Sequence, residues 1–143
     1  MIFAREATVR ATRERVWEIL VDPARVIPVL PPGRSLVATT GTAGAAGSGY
    51  VLEVPAWPRG LRLEHTVTQS EPGAALRLEV RRAGRLLAVH EGTLSASEDG
   101  GTRLVWLVKA EAPPVWGWLV AYRGRLELGR WIAAVVQVAE QAG

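Results

Sequence analysis

Six stretches of the chain, 34–41, 48–54, 61–70, 74–82, 86–97 and 102–111, alternate apolar and polar residues with a period of two. That is the period of a strand with one buried face. Turn-forming residues separate them: Gly44 to Gly47, Pro55 to Gly60, Pro72-Gly73, Ala83-Gly84 and Asp99-Gly100-Gly101. Connections this short join neighbouring antiparallel strands, so the pattern predicts a meander. Ahead of it, Ile2 to Arg10 reads as an opening strand. Thr12 caps a helix over Arg13 to Leu20 whose buried face is Val16, Trp17, Ile19 and Leu20. Asp22-Pro23 stops that helix and opens a short second one, which ends before Pro31-Pro32-Gly33.

After the meander, Pro113-Pro114 introduces a long helix from Val115 to Gln141. Ala121, Gly124, Leu128, Trp131, Val135, Val138 and Ala142 recur at alternating steps of three and four, which makes one stripe. Such a helix is about 40 Å long and can cross a whole sheet. No internal repeat and no linker interrupts the pattern, so residues 1–143 are expected to form a single domain. The prediction is an α+β fold: a curved antiparallel sheet around the C-terminal helix, with an apolar cavity between them.

Alternation also assigns the inner face of the sheet. It places Leu61, Leu63, His65 and Val67 inside on one strand and Leu76, Leu78 and Val80 on the next. The next strand is ambiguous by alternation alone, and Leu86, Ala88, His90, Gly92 and Leu94 are favoured inside because Glu91 then faces out; Leu104, Trp106, Val108 and Ala110 follow on the last strand. Charged residues such as Arg62, Glu64, Arg77, Glu91, Arg103 and Lys109 fall on the other face, because an unpaired charge rarely faces a core.

Composition narrows the function classes. With 143 residues, 48% hydrophobic and 22% charged, the chain is long and apolar enough for a sizeable core. No apolar run reaches the roughly 18 residues of a membrane span. The N-terminus lacks a basic segment followed by an apolar stretch, so no signal peptide is visible and a cytoplasmic location is the expectation. The absence of cysteine excludes disulfides, thiolate metal sites and a Cys nucleophile. A net charge of +3, spread among acidic residues, gives no reason to expect nucleic acid as a partner.

His65 and His90 are the only histidines, and both are assigned to the cavity face. They are open to two readings: buried neutral rings satisfied by backbone or water, or groups that contact a ligand or move protons. Two histidines without a convergent carboxylate make a weak metal set, so no metal is expected. Glu91, beside His90, belongs to the outer face unless a bulge turns it. There is no Ser-His-Asp pattern, nucleotide-binding glycine motif or paired carboxylates, so catalysis has no positive support and no cofactor is expected. Trp106 is either a core aromatic or a cavity wall that stacks on a flat ligand. Tyr122 and Arg123 could bring a hydroxyl and a charge to the cavity, although Arg123 is expected in solvent. Gly117, Ala121 and Gly124 make one helix face small. Either the sheet packs closely there or a ligand fills the space.

The order strand, two helices, six-stranded meander, long helix resembles the helix-grip fold. The stretch from Glu6 to Pro23, with its strand, capped helix bearing Val16-Trp17 and following Asp22-Pro23, is similar to the opening of the START-like (SRPBCC) superfamily, which has birch-pollen-allergen and polyketide cyclase branches. Gly101-Thr102-Arg103-Leu104 before the last strand is of the same kind, and Asp22-Pro23 followed by Pro32-Gly33 weakly resembles the branch associated with carbon monoxide dehydrogenase. The resemblance covers the chain at the level of element order and implies a seven-stranded sheet. With an inner face rich in Leu and Val, it implies binding or transport of a small hydrophobic ligand such as a lipid, a quinone or a polyketide-like aromatic. Leu63, His65, Val67, Leu78, Val80, His90, Trp106, Val108, Ala121, Gly124 and Leu128 would line the site. A cyclase- or dehydratase-type enzyme using His65 or His90 is the first alternative. A protein-interaction module with a filled core is the second. Connectivity gathers Trp57, Arg59, Arg82, Arg85, Trp116 and Trp118 at one end, an expected entrance suited to an acidic head group or peripheral contact with an anionic membrane.

Overall fold

The computed structural model describes residues 1–56, 59–111, 115 and 117–141. Strand β1 (Ile2–Val9) leads into helices α1 (Arg13–Leu20) and α2 (Pro23–Val26) and a 3-10 turn at Ile27–Val29. The meander follows as β2 (Ser35–Thr40), β3 (Gly49–Val54), β4 (Leu61–Glu71), β5 (Ala75–Arg82), β6 (Arg85–Ala96) and β7 (Thr102–Ala110). Helix α3 (Gly117–Glu140) comes last. All seven strands form one antiparallel sheet in the order β1-β7-β6-β5-β4-β3-β2. This is the α+β arrangement that the pattern predicts and the helix-grip architecture that the element order resembles. Pro113-Pro114 and Ala142, assigned from sequence to the start and the stripe of the long helix, lie outside the described residues.

The first helices start where the capping chemistry places them. Thr12 Oγ1 accepts from Arg15 N at 3.2 Å, and Asp22 Oδ1 accepts from Ala24 N at 3.2 Å. Val16, Ile19 and Leu20 are buried, whereas Trp17 is only half-buried against the core. At 100° per residue Ile19, Val16 and Leu20 span one arc of about 100° and Trp17 falls about 60° beyond it, so its ring covers the core rather than filling it.

The inner-face alternation holds through β4, β5 and β7, where Val67, Leu76, Leu78, Val80, Leu104, Trp106 and Val108 are buried. It fails once in β6. Val80 pairs with Ala88 but Arg81 pairs with Leu86, so Leu87 is an extra residue at a bulge. Leu86 therefore shares the outer face with Arg81 and is exposed.

The core is densest where α1 and the C-terminal half of α3 meet β1 and β7. Val9, Val16, Ile19, Leu104 and Val135 are there with no exposed surface. Burying each such side chain contributes about 1.5–3 kcal/mol. On α3 the buried stripe runs through Leu128, Ile132, Val135 and Val138, while Trp131 is half-buried at its side. A Cβ on Gly124 would come within 2.9 Å of Phe3 Cζ, so at this position the sheet packs against the helix backbone. Arg34 fastens the middle of α3. Its guanidinium makes a two-pronged ion pair with Glu127 and donates to Pro31 O at 3.0 Å.

Candidate functional site

A cavity of about 250 Å³ opens between the end of α1, the β2–β3 turn and the inner face of the sheet. Leu20, Val21 and Asp22 form one wall. Thr40, Gly44 and Ser48 of the turn form the opposite one, and Tyr50, Val67, Leu76, Leu78 and Trp106 form the floor. The turn is pinned over this space. Gly47 N donates to Val67 O and Val67 N to Ser48 O, each at 2.8 Å, and Ser70 Oγ donates to Gly44 O. Asp22 is held by its capping bond and by Arg25, whose Nε lies 3.2 Å from Asp22 Oδ2.

A polar cluster lies beside the floor on the inner face of the sheet, in contact with Tyr50 and Trp106. Tyr50 pairs across β3–β4 with His65, and their rings stack with centroids 4.6 Å apart and planes 13° from parallel. His65 Nδ1 lies 3.2 Å from Leu63 O. The His90 ring stands edge-on to His65 at 6.4 Å and to Trp106 at 5.9 Å. Trp106 Nε1 donates to His90 Nδ1 at 3.0 Å. Gly92 makes this arrangement sterically feasible. It sits opposite Trp106, and a Cβ there would lie 2.5 Å from Trp106 Cζ3, so the indole lies flat across β6.

Among the described residues Tyr50 Oη, His65 Nε2 and His90 Nε2 have no hydrogen-bond partner. Among those same residues no side-chain nitrogen or oxygen is both sealed from solvent and unpartnered. These three atoms therefore reach space that a water-sized molecule can enter.

Burial makes the cluster electrically neutral near pH 7. Desolvation lowers the His65 imidazole from 6.5 to about 4, against a small opposing pull from the Leu63 carbonyl. Desolvation, with the repulsion of a charged His65, lowers His90 to about 3. Burial pushes the Tyr50 phenol well above its ordinary range. An imidazole held this low is a weak base, and its acid form is scarce at neutral pH, so the cluster suits hydrogen bonding better than proton transfer.

The structure brings together only part of the set chosen from sequence. Val67, Leu78 and Trp106 line the cavity, whereas His65 and His90 stand next to it, against its lining residues Tyr50 and Trp106. Val80 and Val108 are buried beside the two histidines, pairing with His65 and His90 respectively, while Leu63 is half-buried further out. Ala121, Gly124 and Leu128 belong to the packing of α3 and do not line this space. Tyr122 turns outward, 62% exposed, and brings no hydroxyl to the cavity.

At the opposite end of β3, Arg59 and Arg123 border a shallow groove with Gly33 and the segment from Glu53 to Ala56. Arg82 and Arg85 are exposed where β5 turns into β6. Trp57 and Trp116 lie outside the described residues. The cavity above Trp106 thus opens at the end away from the one where connectivity gathers the arginines.

Sequence reasoning missed Tyr50 and the rim residues of α1 and the β2–β3 turn. Tyr50 was within reach, since alternation along β3 puts Tyr50, Leu52 and Val54 on one face opposite His65, Leu63 and Leu61. The rim had no such signal, because it depends on how the turn folds back.

Among the described residues no group of three or more His, Cys, Asp or Glu converges to hold a metal ion, and no helix is long and apolar enough to cross a membrane.

No family model and no curated relative matches the chain. Solved structures do. Protein CV1439 from Chromobacterium violaceum superposes with a TM-score of 0.76 at 17% identity, covering 99% of each chain. Ara h 8.0201 superposes with a TM-score of 0.68 at 16% identity over 96% of this chain and 97% of its own. DynU16, a protein of the dynemicin biosynthetic locus, gives 0.68 at 18% identity over 98% of this chain and 47% of its own. At these identities the likeness establishes the fold alone. The fold is the seven-stranded helix-grip.

Proposed function

We propose that the protein binds a small, flat, largely apolar molecule in the cavity above Trp106, as a cytoplasmic carrier or sensor. The observation that carries this reading is a partly enclosed space with an aromatic and aliphatic floor, beside which Tyr50 Oη and the Nε2 atoms of His65 and His90 are unpartnered and not sealed from solvent. An apolar cavity with a few convergent polar groups is the usual composition of a ligand site. A volume of about 250 Å³ lies just below the range of roughly 300–1,000 Å³ for drug-sized ligands. It suits a one- or two-ring molecule or a short acyl chain rather than a diacyl lipid. The open space speaks against a module whose core is filled by its own side chains. The low basicity of both histidines speaks against an acid–base enzyme. Native mass spectrometry of protein from its source cells tests the reading. A co-purifying small molecule is expected, and Leu78→Trp, which fills the cavity with apolar volume, should lose it while retaining the native circular dichroism. If cavity-filled and wild-type protein carry the same molecule, the site lies elsewhere.

One observation favours a further contact. Trp118, Tyr122 and Leu126 recur every four residues on α3 and are 70%, 62% and 40% exposed, with Arg123 and Arg125 exposed beside them. Aromatic rings flanked by arginines suit the surface of an anionic membrane. Co-sedimentation with anionic liposomes should be detectable at low salt and weaken as salt rises. Trp118→Ser should reduce it. Equal binding to neutral liposomes would contradict the electrostatic part of this reading.

A further inference from the structure

The two histidines beside the cavity floor present a fixed pattern of one donor and one acceptor. A carbonyl oxygen can only accept, so His65 Nδ1, at 3.2 Å from Leu63 O, carries the proton and leaves Nε2 as a bare acceptor. An indole N–H can only donate, so His90 Nδ1, which receives it from Trp106, is bare and the proton is on Nε2. The two unpartnered nitrogens therefore differ in kind: His65 Nε2 accepts and His90 Nε2–H donates. The ring centroids are 6.4 Å apart. At that spacing one oxygen bridges the pair at ordinary N···O distances of about 2.8 Å when both Nε2 edges turn towards it.

We propose that the ligand presents a neutral hydroxyl group, phenolic, enolic or alcoholic, that donates to His65 Nε2 and accepts from His90 Nε2–H. This deepens the cavity-binding reading and rests on it. A hydroxyl oxygen satisfies both nitrogens at once. A carbonyl or ether oxygen leaves His65 without a donor. A carboxylate does the same and adds an anion that neither neutral imidazole can compensate, in a site where burial already penalises charge. Trp106 and Tyr50 supply flat walls for an attached ring, so an aromatic alcohol fits both the histidine pair and the floor.

Isothermal titration with 2-naphthol, 2-methoxynaphthalene and 2-naphthoate at pH 7 tests this. The expected order puts 2-naphthol at least about tenfold tighter than either of the others, the equivalent of one well-made hydrogen bond. His65→Phe keeps a ring against Tyr50 but removes the acceptor. It should bring 2-naphthol down to the affinity of the methyl ether and leave the ether unchanged. His65→Gln, which retains an acceptor, should keep part of the preference if the phenylalanine variant folds poorly. Equal binding of all three probes would overturn the hydroxyl assignment and leave cavity binding standing. Tightest binding of 2-naphthoate would overturn it in favour of an anion site. If none of the probes binds, the cavity-binding reading fails with it.

Discussion

The two halves of the molecule obey the same alternation in their strands but end differently. In one half, Val9, Val16, Ile19, Leu104 and Val135 interlock without exposed surface between α1, the sheet and the C-terminal half of α3. In the other, the same sheet face carries Tyr50, His65 and His90, and Leu63 beyond them is half-buried. The N-terminal half of α3 exposes Trp118 and Tyr122 there. Branched aliphatics can fill a gap without polar cost. Rings with polar edges cannot be sealed without partners, so the half that contains them remains open. Tight packing is thus concentrated in one half of the grip, and the cavity lies at its boundary with the other, walled by Leu20 of α1 and floored by Tyr50 and Trp106.

The largest test of this division is a pair of truncations. Leu104→Ala in the sealed half should cost about 4 kcal/mol in urea unfolding, because a fully buried leucine leaves a cavity that the surroundings cannot close. Leu63→Ala in the open half should cost about 1 kcal/mol, since much of its surface is already wet. Similar losses would erase the distinction.

A pH series sharpens it. The folded values near 4 and 3 for His65 and His90 lie below the 6.5 of an unfolded chain. As pH falls, the unfolded state binds these protons first. The stabilising contribution is therefore complete above about pH 6.5 and is lost as pH drops toward 4 and then 3. Between pH 6.5 and 5 stability should fall with a slope that rises from about 0.7 to nearly 1.4 kcal/mol per pH unit for each histidine. The His65→Gln, His90→Gln double variant should be flat across that window. A wild-type protein equally stable at both ends would mean that the rings are already solvated.

A smaller effect concerns Gly92→Ala. The added methyl meets the Trp106 ring, so the indole must tilt and its bond to His90 must lengthen. The expected cost is about 1–3 kcal/mol from overpacking, together with a shift in tryptophan emission and weaker ligand binding. A variant with native stability and affinity would show that the flat placement of Trp106 is unimportant.

Much of this architecture is legible in the sequence, because strand alternation and turn residues are local. Thr12 and Asp22 mark their helices by capping chemistry, and Pro72-Gly73 and Gly100-Gly101 punctuate the meander. The candidate site is legible only in part. His65, His90 and Trp106 follow from their faces, yet the face of Leu86 is reversed by a bulge that no alternation reveals. The half-burial of Trp17 depends on a packing angle. The closing of the β2–β3 turn over the cavity depends on non-local bonds from Gly47 and Ser48 to Val67 and from Ser70 to Gly44. Gly124 is open to two readings in the sequence, and the Phe3 ring against it decides for close packing.

The most direct test of binding above Trp106 is a ¹H–¹⁵N correlation spectrum recorded during titration with 2-naphthol. The indole Nε1–H signal of Trp106, identified by its loss in Trp106→Phe, is expected to shift together with the amides of Thr40, Tyr50 and Leu78, while those of Arg59 and Arg123 stay in place. Shifts confined to the Arg59 and Arg123 groove, with the Trp106 signal unmoved, would contradict it.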